Sequence, residues 1–151
     1  EEKADALIQE MQAKIDAVQE KVGAVETPLK VLVIDSLDGN EIFTASNALE
    51  SELIRLTGGQ NIAPDMGKNW ATISMEVVTD ANPDVIVFNV YEDTTLEEKI
   101  AEAEANPALQ DTNAVQNRRY VGIPLTSVHE SIRTADTVQY LAENFYPELF
   151  E

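Results

Sequence analysis

The sequence predicts an α/β domain with a doubly wound, mainly parallel sheet flanked by helices, and three observations carry that expectation. Two short uninterrupted apolar runs, "KVLVIDS" and "DVIVFN", have the composition of strands buried on both faces, as the strands of a parallel sheet are. Segments of helical period alternate with them along the chain. No hairpin signal stands out between them, so each strand is expected to rejoin the sheet through a helix.

The opening segment "EEKADALIQEMQAKIDAVQEKV" sets Ala4, Leu7, Ile8, Met11, Ile15, Val18 and Val22 on one stripe. That spacing predicts an amphipathic helix of about five to six turns, ended by Gly23 and Pro28. "KVLVIDS" is the first strand and "LDGNEIF" a turn-rich stretch. Ser46 then caps a helix "NALESELIRLT" that stops at Gly58-Gly59. "QNIAPDMGKNW" reads as a loop, after which Ser74 caps a short helix that Asn82-Pro83 ends, because the residue before proline is pushed out of the α region. "DVIVFN" is the second strand, and Thr94 with Glu97 forms a capping box for "LEEKIAEAEA". Asn106-Pro107 breaks that helix, a helical turn follows around Ala108 to Val115, "RRYVGIP" is the third strand, and a last helix near "RTADTVQYLAENF" ends at Pro147. No internal repeat, low-complexity tract or linker interrupts this order, and the order of strands in the sheet does not follow from it.

Composition narrows the function. With 151 residues and 44% hydrophobic content the chain can bury a substantial core. Ten Lys+Arg against 28 Asp+Glu give a formal charge of −18, and the basic residues form no patch. Nucleic acid and anionic membrane surfaces, which need a positive face, are therefore disfavoured partners. A basic protein surface suits the charge, although a solvated acidic face is its commonest use. The absence of cysteine excludes disulfides, thiol catalysis and cysteine-bound metals, without fixing a compartment. No apolar run reaches the roughly 18 residues a membrane span needs. The chain opens directly on charged helical sequence with no signal peptide, as a mature protein or a piece of a longer one does.

In open α/β sheets, ligands bind beyond the carboxyl ends of the strands. That rule nominates residues 36–43, 89–94 and 124–131, and the first turn of the helix after Ser74 should lie at the same edge. Trp70 and Glu76 are thereby expected to border one cleft. Each has a plainer use: Glu76 favours the helix dipole, and a single tryptophan often fills a core boundary. Trp70 nevertheless follows the polar stretch Gly67-Lys68-Asn69, which argues for a rim. His129, the one histidine, can ligate a metal or haem iron or be an ordinary surface residue. No HxxxH or CxxC spacing supports a structural metal site. Arg133, near the start of the last helix, opposes the helix dipole and so suits an anionic group. Tyr91 can stack on a ligand or close the core. Enzymatic motifs are missing: the sequence holds no GxSxG, P-loop or strand-to-helix GxGxxG. "VLVIDS" is like the first strand of a phosphoacceptor receiver, but "DVIVFN" ends in Asn89 where that fold needs a phosphorylatable aspartate.

Taken in order, "LTGGQNIA", "WATISMEVVTDANPDVIVFN", "NPALQDTNAVQNRRYVGIP" and "RTADTVQYLAENFYPELF" resemble the C-terminal lobe of the bacterial substrate-binding proteins that deliver iron-siderophores, haem and cobalamin to ABC importers. The resemblance runs over roughly residues 30 to 150. It implies a long connecting helix over residues 1–27, a C-terminal α/β lobe over 28–151 and an N-terminal lobe that is absent. It also implies a non-enzymatic, extracytoplasmic protein, periplasmic or lipid-anchored, with no intrinsic cofactor. In such proteins the glutamate at the position of Glu76 pairs with arginines in basic docking pockets of the permease, and the aromatic at the position of Trp70 lines the ligand cleft in the cobalamin-binding member. Tyr91, His129 and Arg133 then belong with Trp70 as ligand-binding residues, with His129 an axial ligand if the cargo is haem. Siderophore, haem and corrinoid all remain open as cargo, while the acidity weighs against a highly anionic catecholate. The alternative is a flavodoxin-like or receiver-like signalling or enzyme domain, for which Asp35 and Asn89 are the residues to test.

Overall fold

The computed structural model describes residues 2–23, 29–46, 49–63, 67, 70–90, 95–124 and 134–149. The chain begins with α1 (Glu2–Val22) and β1 (Leu29–Ile34), then β2 (Ser36–Asp38), β3 (Glu41–Ala45) and α2 (Leu49–Leu56). Next come β4 (Gly59–Asn61), β5 (Trp70–Ser74), α3 (Met75–Ala81) and β6 (Val85–Val90). It closes with α4 (Leu96–Glu104), α5 (Pro107–Gln110), α6 (Asn113–Gln116), β7 (Tyr120–Pro124), α7 (Thr134–Phe145) and a 3-10 turn at Pro147–Leu149.

The expected parallel sheet is present, with strand order β4-β1-β6-β7 and every neighbouring pair parallel. Its middle strands are sealed on both faces: Val31 to Ile34 and Val85 to Asn89 are all buried. Alternation divides them. Val31, Val33, Val85 and Val87 meet Val18 and Val22 of α1, Leu53 and Ile54 of α2, and Leu141 and Phe145 of α7. Leu32, Ile34, Ile86 and Phe88 meet Met75 and Val78 of α3, Ala103 of α4 and Leu109 of α5. Burial at about 1.5–3 kcal/mol per large apolar side chain makes these two cores the main source of stability.

A second sheet overturns the expectation that no hairpin interrupts the alternation. Strands β2, β3 and β5 form an antiparallel sheet in the order β2-β3-β5. Asp38 pairs directly with Glu41, leaving a two-residue loop of Gly39 and Asn40, and Gly39 takes φ +60 at the first loop position. Such loops suit the strand twist and want glycine there. Gly39-Asn40 was the signal, and "LDGNEIF" is therefore two strands rather than a turn-rich stretch. Similarly, Trp70 to Ser74 is strand and not loop, pairing with β3 from Trp70↔Ala45 to Ser74↔Glu41, and Gly59 to Asn61 adds an edge strand to the main sheet.

Helix boundaries shift for local reasons. Thr95, one residue beyond the expected cap, receives the Glu98 amide at 3.2 Å. Starting there brings Leu96 against Gly122 of β7, where an added Cβ would lie 2.8 Å from the leucine. Ser74 occupies the expected N-cap of α3, but its side chain makes no capping bond. The Met75 amide instead donates to the Asn40 carbonyl at 2.9 Å, tying the helix to the hairpin tip. Asn82 leaves the helix in the left-handed region at φ 51, and its side chain accepts the Asn113 amide at 2.8 Å. The expected apolar stripe of α1 holds at Val18 and Val22, which are buried, and at Ile15, which is half-buried. The side chains of Ala4, Leu7, Ile8 and Met11 lie outside the described ones.

Candidate functional site

The small sheet grows out of the carboxyl end of β1. Asp35 is the joint: its amide donates to the Phe43 carbonyl at 2.9 Å, so the chain leaves the main sheet directly into the second. At the end of β4, Asn61 donates through Nδ2 to the Ala45 carbonyl at 2.8 Å and to Ser51 Oγ at 2.9 Å. The small sheet is thereby fastened along the margin where open α/β folds bind ligands.

Its two faces differ. Ile42 and Ile73 point inward to the core shared with α3. The other face carries Ser36, Asp38, Glu41, Phe43, Thr72 and Ser74, all exposed, and half-buried Trp70. Phe43 is 39% exposed and stacks on Trp70 with ring centroids 5.8 Å apart and planes 20° from parallel. Trp70 also packs against the core that contains α1, α2 and α7. The indole is therefore both things its sequence context allowed: a boundary filler on one side and part of an aromatic surface on the other.

Glu76 is exposed in the first turn of α3. Sequence reasoning set it beside Trp70 where a helix begins. In the structure strand β5 separates them, and its four residue-to-residue steps at about 3.3 Å each place Trp70 and Ser74 about 13 Å apart. Both do belong to the same margin, with Trp70 toward β4 and Glu76 next to the hairpin tip. Tyr91, His129 and Arg133 lie outside the described residues. Phe43 is the site residue that sequence reasoning missed. Once Gly39-Asn40 is taken as a hairpin turn, "EIFTA" alternates, and its phenylalanine falls on the face opposite Ile42.

Beneath the joint lies a polar cluster. Asn89, fully buried at the end of β6, donates through Nδ2 to Asp35 Oδ1 at 3.0 Å. Lys99 of α4, only 9% exposed, donates through Nζ to the Asp35 carbonyl at 2.7 Å. A buried cation here fixes the point where the chain changes sheets, since an unpaired carbonyl at that depth is costly. Lys99→Met is expected to lower stability by about 1–3 kcal/mol, read as a lower urea midpoint with an unchanged slope. An unaltered midpoint would show that the ammonium braces nothing. Asp35 is thereby held at the end of β1 by the Asn89 amide and the Lys99 ammonium.

Among the described residues no group of three or more His, Asp or Glu side chains is arranged to hold a metal ion. No helix among them is long and apolar enough to cross a membrane. Burial and the bond to Glu104 Oε2 at 2.8 Å push the Tyr120 phenol up to about 12, so this tyrosine, between α4 and β7, is an inert structural donor at neutral pH.

Comparison with known proteins agrees with this architecture. A family model described as periplasmic binding protein matches residues 1–125. A periplasmic binding protein from Veillonella parvula superimposes with a TM-score of 0.84 at 29% identity, over 96% of this chain and 51% of that one. The periplasmic heme-binding protein RhuT from Roseiflexus sp. RS-1 gives 0.78 at 26% identity, over 96% of this chain and 56% of its own. An ABC transporter substrate-binding protein from Listeria monocytogenes shares the fold with a TM-score of 0.83 at 21% identity, over 97% and 58% of the two chains. The chain thus spans about half the length of these solved relatives. Among curated proteins, none matches the sequence. With most of its length inside the family model and the fold shared throughout, the chain belongs to the periplasmic binding protein family.

Proposed function

We propose that this chain is the C-terminal lobe, with its connecting helix, of an extracytoplasmic protein that captures a metal chelate and passes it to an ABC importer. In this proposal residues 1–27 form the connection and 28–151 the lobe, and a second lobe supplies the facing wall of the cleft. The observation that carries it is the exposed Phe43–Trp70 stack on the outer face of the small sheet. Aromatic surface at the margin where open α/β folds bind ligands suits a cargo wall. Cargo pockets are largely apolar and aromatic, with a few polar groups for orientation, and Thr72 and Ser36 stand on the same face.

The cargo in this proposal is an iron-siderophore, haem or a corrinoid. In this proposal Tyr91, His129 and Arg133, which follow β6 and β7 in sequence, also bind the cargo, with His129 an axial ligand should the cargo be haem. Glu76, at the outer end of the same margin, meets a basic pocket of the permease. The protein performs no chemistry on its cargo in this scheme, and a lipid anchor or free periplasmic existence serves it equally.

Titration of the whole protein, both lobes included, with ferric siderophores, haem and cobalamin tests the proposal. Binding in the micromolar range or tighter is expected, accompanied by quenching of the Trp70 indole that Trp70→Phe removes. If calorimetry detects no binding of any of these chelates, the transport role falls.

A further inference from the structure

We propose that this wall selects a neutral or cationic metal chelate and discriminates against anionic ones. The inference rests on the outer face of the small sheet being a wall of the cargo cleft, as proposed above. It follows from where the chain puts its charges around the aromatic pair.

Asp38 and Glu41 sit directly opposite each other at the closing pair of the hairpin. Both are exposed on the face that carries Phe43, and Glu41 lies two residues along the strand from it, about 7 Å. Like charges directly opposed across a strand pair destabilise it. Neither carboxylate has a hydrogen-bond or ion-pair partner among the described residues to offset that cost. A stacked aromatic pair rimmed by two free carboxylates is the arrangement that attracts a cation: ring faces and carboxylates act in the same direction on it.

The basic residues whose side chains are described are spent elsewhere. Lys30 and Arg119 flank the amino ends of β1 and β7, where the Arg119 guanidinium donates to the Phe145 carbonyl at 2.6 Å. Arg118 pairs with Glu104 at 2.8 Å and Arg55 with Glu52. Lys99 is engaged beneath the sheet, and Lys14 and Lys21 are on α1. Among the described residues, none brings a positive charge to the outer face of the small sheet. A trianionic chelate would thus meet two carboxylates that no described basic residue offsets, and the single guanidinium of Arg133 assigned to the cleft above does not outnumber them; such juxtaposed like charges are an effective means of rejecting a competitor.

The test measures dissociation constants of the whole protein by calorimetry for four chelates at moderate ionic strength. Ferrioxamine B and aquocobalamin are cationic; ferric enterobactin and haem are anionic. At least one cationic chelate is expected to bind about tenfold or more tightly than either anionic one. The double variant Asp38→Lys/Glu41→Lys, both positions being exposed, should shrink that ratio by about tenfold or invert it, corresponding to about 1.4 kcal/mol. Circular dichroism checks that the hairpin is retained, and Asp38→Asn/Glu41→Gln gives an intermediate ratio if charge is the cause. Tighter binding of ferric enterobactin or haem by the unaltered protein overturns the charge preference while leaving the transport role standing. A ratio untouched by the charge reversal also overturns it. Failure of all four to bind removes the transport role and this inference together.

Discussion

Trp70→Ala is expected to weaken cargo capture by about thirtyfold and to destabilise the lobe as well. One face of an indole offers about 80 Å² to a ligand, a fraction of the roughly 150–250 Å² an aromatic side chain can bury. At about 25 cal/mol per Å² that is about 2 kcal/mol, or about thirtyfold in affinity. The stability loss has a separate origin. Trp70 is half-buried against the α1–α2–α7 core and stacked on Phe43. Full truncation of a buried tryptophan costs about 3–5 kcal/mol, so removing a half-buried one costs about 2 kcal/mol. Trp70→Phe separates the two effects, because a smaller ring retains the stack and most of the packing. It should recover most of the stability and part of the affinity, as read by urea unfolding and calorimetry on the whole protein. If Trp70→Ala binds cargo as tightly as the unaltered protein, the indole only fills the boundary and the cleft wall lies elsewhere.

How much of this was legible beforehand depends on what each element answers to. Strands β1 and β6 could be read because both their faces are buried, so their apolar runs are uninterrupted and need no knowledge of partners. The helices around Thr95, Asn106 and Asn82 could be located to within a residue because their ends are set by side chains acting locally. The small sheet was harder. Strand β2 is three residues long, and β5 contributes "WATIS", whose outward residues include an indole and whose inward ones are only Ala71 and Ile73. Their strand character comes from pairing with β3, which is a tertiary fact. The same blindness hid Phe43: an exposed phenylalanine looks like core until its strand register is known. It also hid the separation of Trp70 and Glu76, since a loop fixes no distance whereas a strand adds about 3.3 Å per residue. Strand order was out of reach for a related reason, because the edge strand β4 is three residues beginning on the second glycine of a pair and carries no apolar pattern at all.

Glu76→Ala should leave cargo affinity within about twofold and yet impair delivery. The carboxylate is exposed on the first turn of α3, beyond the hairpin tip and about a strand's length from the aromatic pair. It contributes nothing to the Phe43–Trp70 surface, and losing its dipole interaction costs the fold about 0.3–1 kcal/mol. A contact with a permease arginine would be charge-assisted and worth about 1–3 kcal/mol, a factor of about five to 150 in docking affinity. The corresponding measurement is ATPase stimulation of the reconstituted importer against the concentration of cargo-loaded protein. Glu76→Ala should raise the half-maximal concentration by about tenfold and more so at low ionic strength, where steering by exposed charge is strongest. Glu76→Asp, with a shorter reach, should fall between. Superimposable stimulation curves for Glu76→Ala and the unaltered protein would take Glu76 out of docking without touching the cargo site, because the proposed docking carboxylate stands on α3, past the end of β5 remote from the aromatic pair.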